Sequence, residues 1–232
     1  MAGVITHMVI AREMLKLLPE KTIEDQALFY LGTLAPDAIH AREGFIRAEK
    51  KHTHLRDDIP DKDFAEEKNI DLFHKRVSAF IQDNRDRTDG LVDLYRGYIT
   101  HLLTDELFVL TLRREFCNTM EKLGIEQHDR RFFEYIVTDM NRNDLLLIQN
   151  YEGIDEIIHL MEQVPAYEVK GYLSEKEIRE SRDWLLQIHF TKNQEILQPV
   201  YITFDRMQNF IKAAAEDIVK RLSDDVSFPK MW

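Results

Sequence analysis

The stretch Gly97-Tyr98-Ile99-Thr100-His101-Leu102-Leu103-Thr104-Asp105-Glu106 sets a histidine and an aspartate four positions apart inside an otherwise apolar run. Residues at i and i+4 lie one above the other on a helix. The imidazole of His101 and the carboxylate of Asp105 therefore aim at one point, and both groups are ordinary zinc ligands. Spacing alone has little weight. With 9 histidines and 42 acidic residues among 232 positions, His-x-x-x-acid should arise about once or twice by chance. It occurs at His101/Asp105 and at His54/Asp58.

Three further segments give that pair its context. Thr6-His7 opens the first amphipathic run, Leu31-Gly32-Thr33-Leu34-Ala35-Pro36-Asp37 closes the second, and Lys51-His52-Thr53-His54-Leu55 follows. The histidines and carboxylates of these segments exceed what one tetrahedral catalytic zinc needs, because such a site keeps a position open for water. They suit a dinuclear centre with a carboxylate bridging ions ~3.5–4 Å apart. In this order, over roughly residues 4–110, the motifs resemble the zinc-dependent phospholipase C family, whose fold is shared with fungal single-strand-specific nucleases. The resemblance implies metal ligation by His7, Asp37, His54, His101 and Asp105. It makes Asp105 the bridge, gives His7 to one ion and gives Asp37, His54 and His101 to the other. Asp37 and Asp105 are its catalytic carboxylates, with Asp37 a general base as well as a ligand. The implied reaction is phosphoester hydrolysis by activated water.

The chain departs from the family in two places. Secreted members ligate a metal through an N-terminal tryptophan, whereas Met1 to Thr6 contain none, and Trp184 and Trp232 lie far along the chain. Those members also bind a third ion with a later His-x-x-x-Glu helix, and no such pair follows Asp105. The resemblance therefore implies a depleted shell around the His7 ion and no third site. Zinc is the expected ion, in one or two copies. Iron, manganese or nickel are alternatives, because imidazole and carboxylate ligands discriminate weakly among them.

Other candidates read more plainly. Alternate residues cannot share a helical face, so of the pair His52/His54 only His54 is expected as a ligand. His52 and His40 are assigned to an outer shell or to the substrate cleft, with a solvent-exposed position as the alternative for each. Asp57 and Asp58 are read as solvent-facing, and His74, His128 and His189 as structural. Asp155 and His159 repeat the four-residue spacing in reverse, without further partners nearby.

A formal net charge of −11 and the lack of a long basic block argue against a nucleic-acid partner, since that affinity depends on Lys and Arg displacing counterions. Cys117 is the lone cysteine, which excludes an intrachain disulfide and a thiolate zinc knuckle. Met1 to His7 lack the basic start and apolar core of a secretory signal. No apolar stretch approaches the ~20 residues that span a bilayer. These features predict a cytoplasmic protein without membrane insertion. They leave its oligomeric state open.

Periodicity is helical nearly throughout. The first helix carries Val4, Ile5, Met8, Ala11, Leu15 and Leu18 and stops at Pro19, and a second is capped by Thr22 with Asp25 in its first turn. Residues 38–62 read as an irregular connection or short helices. Longer helices are expected from Asp63 to Asp83 and from Asp89 through to Met120. Further helices are expected at 128–150, 153–163, 175–190 and 203–223, the third of these opening on a Ser174/Glu177 capping box. The fold expected is a single all-α domain over 1–232.

The leading functional expectation is a metal-dependent phosphoesterase acting on a small phosphoester. Two rivals stand beside it. One is a non-catalytic helical binding or regulatory protein that keeps a structural metal. The other is an HD-type phosphohydrolase, for which the only adjacent His-Asp doublet is His128-Asp129.

Overall fold

At the centre lies a helix buried on almost every side, α5 (Val92–Phe108), in which Leu94, Tyr98, Ile99, Leu102, Leu103 and Phe108 are all buried. A helix buried all round must be surrounded by others, and α5 is enclosed by α1 (Val4–Leu17), α2 (Gln26–Leu34), α4 (Glu67–Asn84) and α10 (Phe204–Arg221). The computed structural model describes residues 2–189 and 197–232, the side chains of 188 and 189 excepted. Among these residues the architecture is all-helical, with one isolated β-bridge between Val169 and Leu173. One hydrophobic cluster runs from Ala2 to Met231. Among the described residues no helix is long and apolar enough to cross a membrane.

The remaining helices are α3 (Glu49–Thr53), α6 (Arg114–Lys122), α7 (Arg130–Asn150), α8 (Ile154–Gln163) and α9 (Glu175–Trp184). A 3-10 segment, Ala35–Ala41, continues α2 with Pro36 in its first turn, where the missing N–H costs nothing.

Two boundaries differ from expectation for local reasons. Asp25, not Thr22, caps α2, its carboxylate accepting from Leu28 N–H at 3.0 Å. The helix expected from Asp89 to Met120 widens into π turns over Val109–Arg113. There Thr111 Oγ1 donates to the Leu107 carbonyl at 2.6 Å, a back-bond that bends helices. The Ser174/Glu177 capping box at the start of α9 is present as expected.

Two long-range contacts set the frame for the site. Gly3 offers α1 no capping side chain, and Asp144 of α7 accepts instead from Ile5 N and Thr6 N, each at 3.1 Å, and from Thr6 Oγ1 at 2.9 Å. Helices α2 and α5 cross backbone against backbone: a Cβ added at Gly32 would lie 2.1 Å from the Leu94 carbonyl oxygen, and one at Gly97 2.0 Å from that of Phe29. Only glycine permits this approach.

Candidate metal centre

Five side chains from four segments converge on the inner end of α5. His7 comes from the second turn of α1, Asp37 from the 3-10 segment after α2, His54 from the residue closing α3, and His101 and Asp105 from α5. His7, His54, His101 and Asp105 are buried and Asp37 is partly covered. His7 Nε2 lies 3.5 Å from Asp105 Oδ1, while His54 Nε2 and His101 Nε2 lie 3.7 and 3.9 Å from Asp105 Oδ2. The Asp105 carboxylate thus turns one oxygen to each side of the cluster. His54 Nε2 is 3.3 Å from Asp37 Oδ1.

Each position has a local cause. The glycine crossing of α2 and α5 brings Thr33 beside His101, whose Nδ1 donates to the Thr33 carbonyl at 2.7 Å. His54 Nδ1 donates to the Lys50 carbonyl at 2.9 Å. Thr53 Oγ1 bonds the Pro36 carbonyl at 2.9 Å, and Tyr98 Oη reaches the Thr53 carbonyl. Those bonds tie the Asp37 and His54 segments to each other and to α5. Leu55 takes a left-handed backbone, φ 54°, an uncommon conformation for a branched side chain. Arg76 from α4 holds this turn through the carbonyls of Leu55 and Asp57 at 3.3 and 2.6 Å.

Carbonyl oxygens only accept, so Nδ1 carries the proton on both His54 and His101 and the lone pair resides on Nε2. The two Nε2 atoms face each other at 3.2 Å. Neither has a proton for the other in the neutral form, and two lone pairs at that distance repel. Burial pushes the His101 imidazole well below its ordinary pKa and His7 adds to that, outweighing Asp37 and Asp105. Burial likewise lowers His54, and Lys50 assists against the pull of Asp37. Both rings therefore stay neutral. His7 stacks on His101 with ring centroids 3.8 Å apart and an interplanar angle of 6°, and neither of its ring nitrogens has a hydrogen-bond partner. Asp105 Oδ2 is also buried without one.

The carboxylates are held anionic. Burial pushes Asp37 upward, but Lys50, with His54 and His101, leaves it well below its ordinary value. The Lys50 ammonium stands 2.5 Å from Asp37 Oδ1 and 3.2 Å from His40 Nε2. Burial also raises Asp105, and His7 and His101 more than reverse that.

Neutral imidazoles with aligned lone pairs, two anionic carboxylates and several orphaned buried atoms make a donor set that fits a divalent cation. Among the described residues two groupings qualify, His7/His101/Asp105 and Asp37/His54/His101. His101 appears in both, yet its one unprotonated nitrogen serves one ion. Asp105 has a carboxylate oxygen within 3.9 Å of each of the three imidazoles, and its Oδ1 also accepts from Ala2 N–H at 3.0 Å. Comparisons with protein families, with curated proteins and with solved structures found no match for this chain.

The five sequence-expected ligands come together, and the other candidates separate. His40 lines the cavity above the centre and packs edge-on against Phe45. His52 takes the solvent-exposed alternative, away from the cavity: it bonds Asp57 at 3.1 Å and the Gly171 carbonyl at 3.2 Å, and stacks on Tyr172. Facing away from His54 at the end of α3, it is drawn to the α9 side. Asp58 is exposed, and His159 bonds Gln163 instead of a metal partner. His128 and Asp129 are outside both metal-holding groups, Asp129 serving to cap α7. His74 is structural as expected, through Glu106 at 2.6 Å. His189 lies outside the described side chains.

A cavity of about 810 Å³ opens over this centre, with Asp37 and His54 in its lining. Its lining also holds Lys50 and Arg56, neither of which was singled out in the sequence. Lys50 had a signal, since it precedes His54 by four residues. Arg56 had none.

Proposed function

We propose that this protein is a metal-dependent hydrolase of small phosphoesters, related in chemistry to the zinc-dependent phospholipases C. The observation that carries the reading is the pair of unprotonated Nε2 atoms of His54 and His101, 3.2 Å apart, with both Nδ1 protons committed to backbone carbonyls. That arrangement is unfavourable with nothing between the rings and favourable around a cation. His7, Asp37, His54, His101 and Asp105 would hold one or two ions, zinc first, with Asp105 between them. Bound there, a divalent cation supplies Lewis acidity, acidifies water and offsets phosphoryl charge.

The chain's own residues supply the rest. Asp37 lies at the cavity floor, where an anionic carboxylate can accept the proton of an attacking water. Hydrolysis forms one bond from water oxygen to phosphorus and breaks the ester P–O bond, and the proton taken up by Asp37 passes to the leaving-group oxygen. Lys50 keeps Asp37 ionised, and the carbonyls of Thr33 and Lys50 keep the two imidazoles oriented. A cavity of about 810 Å³ is of small-molecule size, which supports a small ester over a polymer.

A second reading has a specific observation behind it. His7, His101 and Asp105 are fully enclosed, which suits a structural ion with a closed shell. Under that reading the protein binds ligands without turnover. One experiment separates the two. Untagged protein purified without added metal is assayed for bound metal by mass spectrometry, then tested on a panel of phosphomonoesters and phosphodiesters with zinc, manganese or chelator. Metal-dependent hydrolysis that chelator abolishes is the expected result. Fully metal-loaded protein that turns over nothing on the panel establishes the structural-ion reading instead.

A further inference from the structure

Charge in the cavity over the metal centre runs opposite to that of the whole chain. The protein carries a net −11, yet Arg47, Lys50, Lys51, Arg56, Arg113 and Arg130 line this cavity against three carboxylates, Asp37, Asp61 and Asp129. Most of these charges are committed. Lys50 pairs with Asp37, Asp129 with Arg131, and Arg130 with Glu134. Arg56 and Arg113 form no ion pair among the described residues.

Arg56 is the more unusual of the two. It is only 7% exposed, and an unpaired buried guanidinium is costly unless something anionic reaches it. Its face stacks on Phe64 at 3.7 Å from the ring centroid, with Phe73 at 5.7 Å. Stacking occupies the face; Nε and Nη2 are buried without a partner, so Nη1 is the edge donor that the cavity reaches. The left-handed turn at Leu55, φ 54°, lets His54 and Arg56 line the same cavity only two residues apart. The π turns at the end of α5 deliver Arg113 to that cavity as well. The wall provided by α7 carries Phe132, Phe133, Ile136, Val137 and Met140 beside Arg130 and Asn141, and Phe133 is 56% exposed with the Arg47 guanidinium 5.9 Å from its ring centroid.

We propose that Arg56, assisted by Arg113, is the oxyanion-binding residue of this cavity, and that its ligand is a phosphomonoester whose apolar body rests on the α7 wall at Phe133. A monoester phosphate presents more charge and more free oxygens than a diester, which matches two guanidinium groups without a carboxylate partner, Arg113 bonding only the Cys117 side chain. The proposal rests on the phosphoesterase reading for what happens to the ester. The binding site itself does not.

The test is calorimetric titration of the full chain, with and without bound zinc, using phenyl phosphate, inorganic phosphate and diphenyl phosphate as probes. Wild type is expected to bind phenyl phosphate at least tenfold more tightly than diphenyl phosphate. Arg56→Gln should weaken phenyl phosphate by tenfold or more with bound metal unchanged, and Arg56→Lys should recover part of the loss. Phe133→Ala, an exposed position, should weaken phenyl phosphate several-fold and leave inorganic phosphate unaffected. If Arg56→Gln does not fold, Arg113→Gln carries the same test with an expected loss of about fivefold. Unchanged phenyl phosphate affinity in folded Arg56→Gln, or in Arg113→Gln in its stead, overturns the proposal, as does equal binding of mono- and diester. Binding that depends on Arg56 without turnover of any ester leaves this site standing while the hydrolase reading fails. Turnover insensitive to Arg56 does the reverse.

Discussion

Gly97 of α5 and Gly32 of α2 meet so closely that a Cβ on either would lie 2.8 Å from the other's Cα. One turn beyond Gly97 stands His101, and directly after Gly32 stands Thr33, whose carbonyl orients that imidazole. The helix crossing and the metal centre are thus one construction.

Gly97→Ala tests this link. In an ordinary helix the change stabilises by about 0.5–1 kcal/mol. Here it forces the two backbones apart and should cost about 1–3 kcal/mol or more. Urea unfolding should show a lower midpoint together with reduced zinc stoichiometry. A stabilised variant with full metal content would break the proposed connection.

Asp105→Ala should remove bound metal more completely than any other single change at the centre, since its two oxygens face His7 on one side and His54 and His101 on the other. His52→Ala should leave metal content at the wild-type level, because that ring bonds Asp57 and the Gly171 carbonyl. Inductively coupled plasma mass spectrometry on both dialysed variants reads the difference. Equal metal in wild type and Asp105→Ala would remove the bridging role.

Glu106 anchors the opposite face of α5. It is 2% exposed and bonds His74 of α4 at 2.6 Å and Arg221 of α10 at 2.9 Å. Glu106→Ala leaves Arg221 with Asp217 at 3.3 Å, His74 Nε2 at 3.1 Å and the Phe228 ring, and removing one partner of a buried pair costs about 3–5 kcal/mol. Chemical denaturation should show a loss at the lower end of that range, because Asp217 compensates in part. A loss below about 1 kcal/mol would show that the network contributes orientation without stability.

The contact between α9 and the Asp37 segment should contribute to the acid sensitivity of the fold. Burial raises the Glu177 carboxyl, but Arg42 and Ser174 bring it below its ordinary 4.5. A depressed folded pKa means that the unfolded chain binds the proton first, so stability falls as pH falls. The contribution is complete above about pH 4.5 and is lost as pH drops through the folded value. Glu177→Gln should therefore cost about 1–2 kcal/mol at pH 7, and the gap from wild type should narrow progressively as pH falls below about 4.5. A gap that is constant with pH would place the effect in packing instead.

Much of the scaffold was legible from local pattern. The apolar periodicities of α1, α4, α7, α8 and α10 appear within a turn or so of their expected ends, and the Ser174/Glu177 capping box appears at its expected place. Periodicity and capping act over one or two turns, so neighbouring residues suffice to show them. The spacing of His101 and Asp105 is of the same kind, and so is the separation of His54 from His52, which follows from alternate residues diverging at the end of α3.

The tertiary structure decided what depends on residues far apart in the chain. Asp144 caps α1 across 138 positions, and no local pattern announces a cap supplied by another helix. The tautomers of His54 and His101 depend on carbonyls at Lys50 and Thr33, and a carbonyl has no residue-type signature. Above all, Arg56 reads in sequence as an ordinary surface arginine. Its burial over Phe64 and the lack of a carboxylate within ion-pair reach are properties of packing. Sequence by itself determined an all-helical chain with His and Asp groups spaced to share a face. Whether a charge is paired depends on every segment that folds around it, and only the tertiary structure holds that information.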